Sequence, residues 1–261
     1  MSTLLLQISD THFGTERPTV IAALERLAQD LRPDVLLLSG DITQRATPAQ
    51  FSAARAFVER LRLPNVLAIP GNHDISLFNP LARLLWPYRR YSQAFGAELE
   101  PEFENAEVLV LALNTTRWWR HKHGELCTKQ IERVAHRLQT ASPEQCRIVM
   151  VHQPLAVTQA CDLNNRLRGH QEALWRWAEA GLDLIVGGHI HLPFVLPLGL
   201  THTGSSRPLW AVQAGTAVSA RLRPGAGNSV NVVRLPQRVV ERWDFDEGAL
   251  RFEQVRIDAV G

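Results

Sequence analysis

The feature that most constrains this chain is a succession of short Leu, Val and Ile runs, each cut off by a polar or glycine-rich turn. Runs occur at residues 4–8, 35–38, 66–69, 108–113, 148–151 and 182–186. Continuous apolar runs of this length read as strands buried on both faces, and such strands need helices to cover them. The intervening stretches supply those helices. Thr47 followed by Pro48 is a helix start, with Phe51, Ala54, Val58 and Leu61 on one face. Thr128 precedes Ile131, Val134, Ala135 and Leu138, and residues 169–180 carry Leu174, Trp175 and Trp177, at the same helical spacing. The tryptophans read as packing residues. The alternation predicts an α/β fold. After Pro208 the pattern changes to short alternating segments at 210–218, 229–235, 239–245 and 250–257, with turn signals at Pro236 and Gly248. These predict a second, largely antiparallel sheet. No repeat or linker divides the 261 residues, so one domain over 1–261 is expected.

Several classes of protein are set aside by composition. No stretch approaches the ~20 apolar residues a spanning helix needs, and the start of the chain lacks the basic segment and long apolar run of a signal peptide. Cys127, Cys146 and Cys161 are odd in number and show no Cys-x-x-Cys spacing, which places the expected setting in the reducing cytoplasm. A net charge of +2 argues against a polynucleotide partner and leaves homo-oligomerisation open.

The chemistry sits at strand ends, where open α/β sheets place their ligands. The first run ends in Asp10-Thr11-His12 and the second in Gly40-Asp41. The third ends in Gly71-Asn72-His73-Asp74, the fifth in His152, and the sixth in Gly188-His189-Ile190-His191. Each motif alone is common. Five in series, holding half of the ten histidines, would have to fall at strand ends by accident under a purely structural reading. Oxygen and imidazole donors without thiolate suit manganese or iron(II), and zinc or cobalt as well. Asp10, His12, Asp41, Asn72, His152, His189 and His191 make seven donors, more than one ion with an open position would use. Two divalent ions are therefore expected, with Asp41 the candidate bridge. Gly40, Gly71 and Gly188 permit close approach to the backbone.

Together these motifs resemble the calcineurin-like metallophosphoesterase superfamily, whose pattern is Asp-x-His, Gly-Asp, Gly-Asn-His-Asp or Glu, His, and Gly-His-x-His. In length and opening motif the chain is most similar to the small bacterial branch of cyclic-nucleotide phosphodiesterases and glycerophosphodiesterases. The resemblance implies that Asp10, His12 and His191 hold one ion and Asn72, His152 and His189 the other, with Asp41 shared. It also implies a four-layer sandwich of two mixed β-sheets flanked by helices. One departure is Gln153-Pro154 after His152, where cyclic-nucleotide members often carry a second histidine.

The expected reaction is hydrolysis of a small phosphodiester or nucleotide by a hydroxide bridging the ions. His73 is the candidate general acid. Asp74 either orients His73 or caps the turn. Residues 117–123, with Trp118 and Trp119 among basic side chains, either contact substrate or form a packed, solvated loop, and Arg166, Arg168 and His170 pose the same question. A nuclease or a UDP-lipid pyrophosphatase is the alternative enzyme, and a non-catalytic scaffold is the alternative from another class. Intact ligands argue against the scaffold.

Overall fold

The protein is described by a computed structural model covering residues 2–77, 80–199 and 208–261. The first sheet runs in the order β12 (Arg251–Ala259), β11 (Val239–Asp246), β10 (Ser229–Leu235), β1 (Thr3–Ile8), β2 (Val35–Leu38) and β3 (Asn65–Ala68). The second runs β4 (Glu102–Glu104), β5 (Val108–Ala112), β6 (Cys146–Met150), β7 (Leu184–Gly187), β9 (Leu209–Gln213) and β8 (Phe194–Leu198). Both sheets are mixed. β1, β2 and β3 are parallel, as are β5, β6, β7 and β9, while the remaining strands join antiparallel.

Alternation along each strand builds the layers. Leu5, Leu37, Val110, Ile148, Val186 and Val233 meet between the sheets. Leu4, Leu6 and Ile8 point the other way, onto α1 (Pro18–Leu31) and α2 (Pro48–Leu61). On the far side, Leu109, Leu111 and Val149 pack against α5 (Thr128–Gln139) and α6 (His170–Glu179). The result is the expected four-layer sandwich. Two shorter helices, α3 (Pro80–Leu85) and α4 (Arg89–Phe95), follow β3. No helix among the described residues is long and apolar enough to cross a membrane.

Local signals placed α2 well: Thr47 Oγ1 accepts from Gln50 N at 3.3 Å, and Phe51, Ala54, Val58 and Leu61 are all buried. The two tryptophans of α6 differ. Trp177 is fully buried and donates to Ile131 O at 3.0 Å, whereas Trp175 is half exposed.

The C-terminal strands do not form the second sheet that their alternation predicted. Strands β10 to β12 extend the first sheet, through the antiparallel register Thr3↔Leu235 to Gln7↔Asn231, and β9 enters the second sheet parallel to β7. Side-chain alternation identifies a strand and its buried face, but the partner is chosen by hydrogen bonding between separate segments, which for β1 and β10 joins residues more than 200 apart in sequence. Asn231 Nδ2 donating to Gln7 Oε1 at 2.9 Å is one such bond.

Candidate active site

Five parallel strands deliver the five motifs to one edge, where loop-to-loop hydrogen bonds fix them. Asp10 N donates to Gly40 O at 3.1 Å and His12 N to Asp41 O at 3.0 Å, tying the first motif to the second. His189 N donates to Asp10 Oδ2 at 2.8 Å and so ties the two sheets together. Asp10, His12, Asp41, His189 and His191 all adopt left-handed backbone, with φ between 40° and 73°, and they are half of the non-glycine residues that do so among those described. Such conformations cost on the order of 1–3 kcal/mol each and persist where surrounding structure dictates them. Here they turn successive side chains of each loop inward.

The side chains converge into three overlapping groups: Asp10 with His12 and His191, His12 with Asp41 and His73, and Asp41 with His152 and His189. Asp41 reaches both ends. Its Oδ1 lies 3.2 Å from His152 Nε2 and its Oδ2 lies 3.9 Å from His12 Nε2, while Asp10 Oδ1 lies 3.3 Å from His191 Nε2. His152 Nδ1 donates to Ser39 O at 2.8 Å and His191 Nδ1 to Arg221 O at 2.7 Å. These backbone partners fix each ring and leave Nε2 facing inward, the usual arrangement behind a metal-ligating imidazole.

Buried donor atoms without hydrogen-bond partners include Asn72 Oδ1 and both ring nitrogens of His189. Burying such atoms unpaired costs about 1–3 kcal/mol each, and cations would satisfy them together. Electrostatics agrees. Burial pulls the His12 and His189 imidazoles down to about 4 and about 3, so both present lone pairs at neutral pH. Burial opposes charge on Asp41 and Asp10 too, but the imidazoles beside them outweigh it and hold both carboxyls ionised. The same carboxylates outweigh burial at His152, raising it to about 9. The seven donors thus fit two divalent ions in number, softness and charge.

His73 stands at the edge of this group. Its Nδ1 donates to Gln44 O at 2.9 Å, leaving Nε2 open, and its N donates to Asp41 Oδ1 at 2.8 Å. Asp74 is placed otherwise than an orienting partner of His73 would be. Its carboxylate accepts from Gly71 N, Ile42 N, Thr43 N and Thr43 Oγ1 at 2.8–3.0 Å, locking the turn after β3 to the loop after β2. Burial, with Asp41 nearby, pushes that carboxyl up to about 6. The ring is oriented by Gln44 instead.

The family model of calcineurin-like phosphoesterases matches residues 3–193, which hold all five motifs. The chain belongs to that family. Among its relatives, a cAMP/cGMP dual specificity phosphodiesterase of Mycobacterium tuberculosis is 28% identical over 209 residues, covering 72% of this chain and 61% of that protein. A glycerophosphodiester phosphodiesterase of Enterobacter lignolyticus is 37% identical over 84 residues, covering 27% of this chain and 29% of that one. The match thus spans less than two thirds of either relative. The crystal structure of a dimetal phosphatase from Danio rerio shares the fold, with a TM-score of 0.69 at 12% identity over 99% of this chain and 98% of that one.

Beside the converging donors, this calcineurin-like phosphoesterase has an open cleft of about 580 Å³. Arg221, Arg223, Lys122 and Asp162 line it along with His73 and His191. Sequence reasoning missed Arg221 and Arg223, since no motif marks them. Arg221 supplies the carbonyl that holds His191, while its guanidinium donates to Gln44 Oε1 at 2.8 Å. Arg223 donates to Ile190 O at 3.1 Å, between the two histidines of that loop, and pairs with Asp162. Within residues 117–123, His121 and Lys122 reach the cleft but Trp118 and Trp119 do not line it. They pack edge to face, centroids 5.5 Å apart. Arg166, Arg168 and His170 do not line it either. Gln153 is fully buried, where it accepts from Thr115 Oγ1 at 2.6 Å and donates to Lys122 O at 3.3 Å, so it braces the loop carrying Lys122.

Gly188 is the tightest point of the site: a Cβ there would overlap Ser9 Oγ and the Asp10 carboxylate. Gly188→Ala is expected to displace Asp10 from His191 and to weaken metal binding at that end by more than the ~10–100-fold typical of supporting residues. Metal analysis of the purified variant checks this. Two ions retained at parental affinity would show that the loop tolerates the methyl group.

Proposed function

We propose that this chain is a two-metal phosphodiesterase acting on small nucleotides or glycerophosphodiesters. The observation that carries the reading is the Asp41 carboxylate, whose two oxygens face His152 on one side and His12 on the other. On this reading Asp10, His12 and His191 hold one ion, Asn72, His152 and His189 the second, and Asp41 both. Manganese or iron is the expected metal. Bound, the pair would supply Lewis acidity and a deprotonated water. The chain's own residues do the rest. Lys122 and Arg221 draw the phosphate into the cleft, Asn72 Nδ2 is available to a phosphoryl oxygen, and His73, acting as the imidazolium with its Nδ1 proton held by Gln44 O, gives its Nε2 proton to the leaving oxygen. Asp74 holds the turn on which Asn72 and His73 sit. The named activities of the bacterial relatives support a diester over a monoester. Residues 1–261 would act as one domain, and an odd number of cysteines with no Cys-x-x-Cys spacing fits a cytoplasmic setting.

Manganese titration should saturate at two ions per chain, and turnover of cyclic nucleotides and glycerophosphodiesters should require both; one ion at saturation would overturn the reading. Loading should also release protons. His152 is held protonated below about pH 9 by Asp41, and its nitrogen must shed that proton to bind a metal. Apparent affinity should therefore rise with pH up to about 9, by roughly tenfold per pH unit for one proton. Titration calorimetry in buffers of different ionisation enthalpy reads the release directly, and a buffer-independent heat would contradict it.

A further inference from the structure

Half of the large apolar side chains left exposed among the described residues lie on or beside α3, or at Trp118 and Trp119. Helix α3 buries none of its residues. The two segments form one surface, because Arg83 of α3 donates to the carbonyls of Trp118 at 2.6 Å and Arg120 at 2.7 Å. Exposed apolar side chains gathered on adjoining segments mark a binding surface, unlike residues exposed singly.

Charge indicates what it binds. Residues 75–97 and 115–124 contain Arg83, Arg89, Arg90, Arg117, Arg120 and Lys122 and not one Asp or Glu. The whole chain holds 28 Lys and Arg against 26 Asp and Glu, so the remainder is net acidic and the positive charge is concentrated here. Arg120 meets a carboxylate, that of Glu125, whereas the hydrogen bonds of Arg83, Arg90 and Arg117 go to neutral oxygens, which leave their charge uncompensated. A second copy of the chain would set cations against cations across a two-fold axis. Polynucleotides would use the charge and the indoles but gain nothing from the leucines. Leucine and tryptophan interleaved with arginine match the boundary between lipid headgroups and acyl chains.

We propose that this face docks peripherally on an anionic phospholipid bilayer, with Leu84, Leu85 and Trp86 entering the interface and the arginines meeting lipid phosphates. The surface is continuous with the catalytic region. A side cleft of about 190 Å³ is lined by Leu77, Arg83 and His121 together with Asn72 and His73. Docking brings that opening to headgroup level, where phosphodiesters are concentrated.

The test is sedimentation of the full, metal-loaded chain with vesicles of phosphatidylglycerol and phosphatidylcholine, and with vesicles of phosphatidylcholine alone. Binding is expected on the anionic vesicles only. It should weaken at least about tenfold between about 0.05 and 0.5 M NaCl, and at least about tenfold in the triple variant Leu84→Ser, Leu85→Ser, Trp86→Ser. None of those three residues lines the catalytic cleft, so turnover of a soluble diester should stay unchanged and report an intact fold. Arg89→Glu should weaken vesicle binding alone. Equal binding to neutral and anionic vesicles, or a triple variant that binds like the parent, would overturn the proposal. So would a dimer that dissociates in the triple variant, which assigns the face to a second copy, or capture of poly(U) without vesicle binding, which assigns it to nucleic acid.

Discussion

Asp41→Asn is expected to reduce kcat/KM by at least about 10³-fold, and no other single substitution among the donors should cost more. The charge stabilisation that two ions give a phosphoryl transition state is several kcal/mol, and about 4 kcal/mol corresponds to about 10³ in rate. Asp41 is the donor whose loss touches both ions: its oxygens face His152 and His12, and Oδ1 also accepts from His73 N at 2.8 Å. Asparagine keeps the size and one acceptor but removes the negative charge that holds His152 protonated in the metal-free site. His12→Ala should be milder, because His12 serves one end. The comparison is made by metal content and kcat/KM on the same preparations. Asp41→Asn retaining two ions and most of its activity would refute the bridging role.

His73→Ala should lower turnover by roughly 10²–10⁴-fold on substrates with poor leaving groups, the range of general acid catalysis. The open Nε2 is what the geometry offers, since Nδ1 is committed to Gln44 O. A nitrophenolate leaves without a proton, so its ester should lose much less than an alkyl or ribose ester. Equal losses on both esters with two ions bound would reassign His73 to electrostatic stabilisation. Because His73 also lies in one of the three converging groups, with His12 and Asp41, loss of an ion in the variant would make it a ligand. Metal analysis separates these outcomes.

The neighbourhood of His73 shows how local signals and tertiary placement divide. The tetrad Gly71-Asn72-His73-Asp74 was legible because its residue types are rare together after an apolar run, yet the task of Asp74 was not. Whether a carboxylate orients a ring or anchors a loop depends on which donors approach it. Those donors, Ile42 N, Thr43 N and Thr43 Oγ1, come from the loop after another strand. Arg221 was invisible for the same reason. Its carbonyl steadies His191 and its guanidinium reaches Gln44, more than 170 residues away, and no spacing rule connects such positions.

What the sequence determined by itself was the kind of layer each segment forms and the chemistry at each strand end. Apolar runs, helical spacing and a Thr-Pro start act through neighbours a few residues apart, and the donor atoms of Asp, His and Asn are fixed by residue type. Only the tertiary structure decided which strands pair, which orphaned nitrogens face one another, and which side chains wall the cleft. Those outcomes rest on hydrogen bonds and burial between segments far apart in the chain, whose free energy exists only once the two sheets have closed on each other.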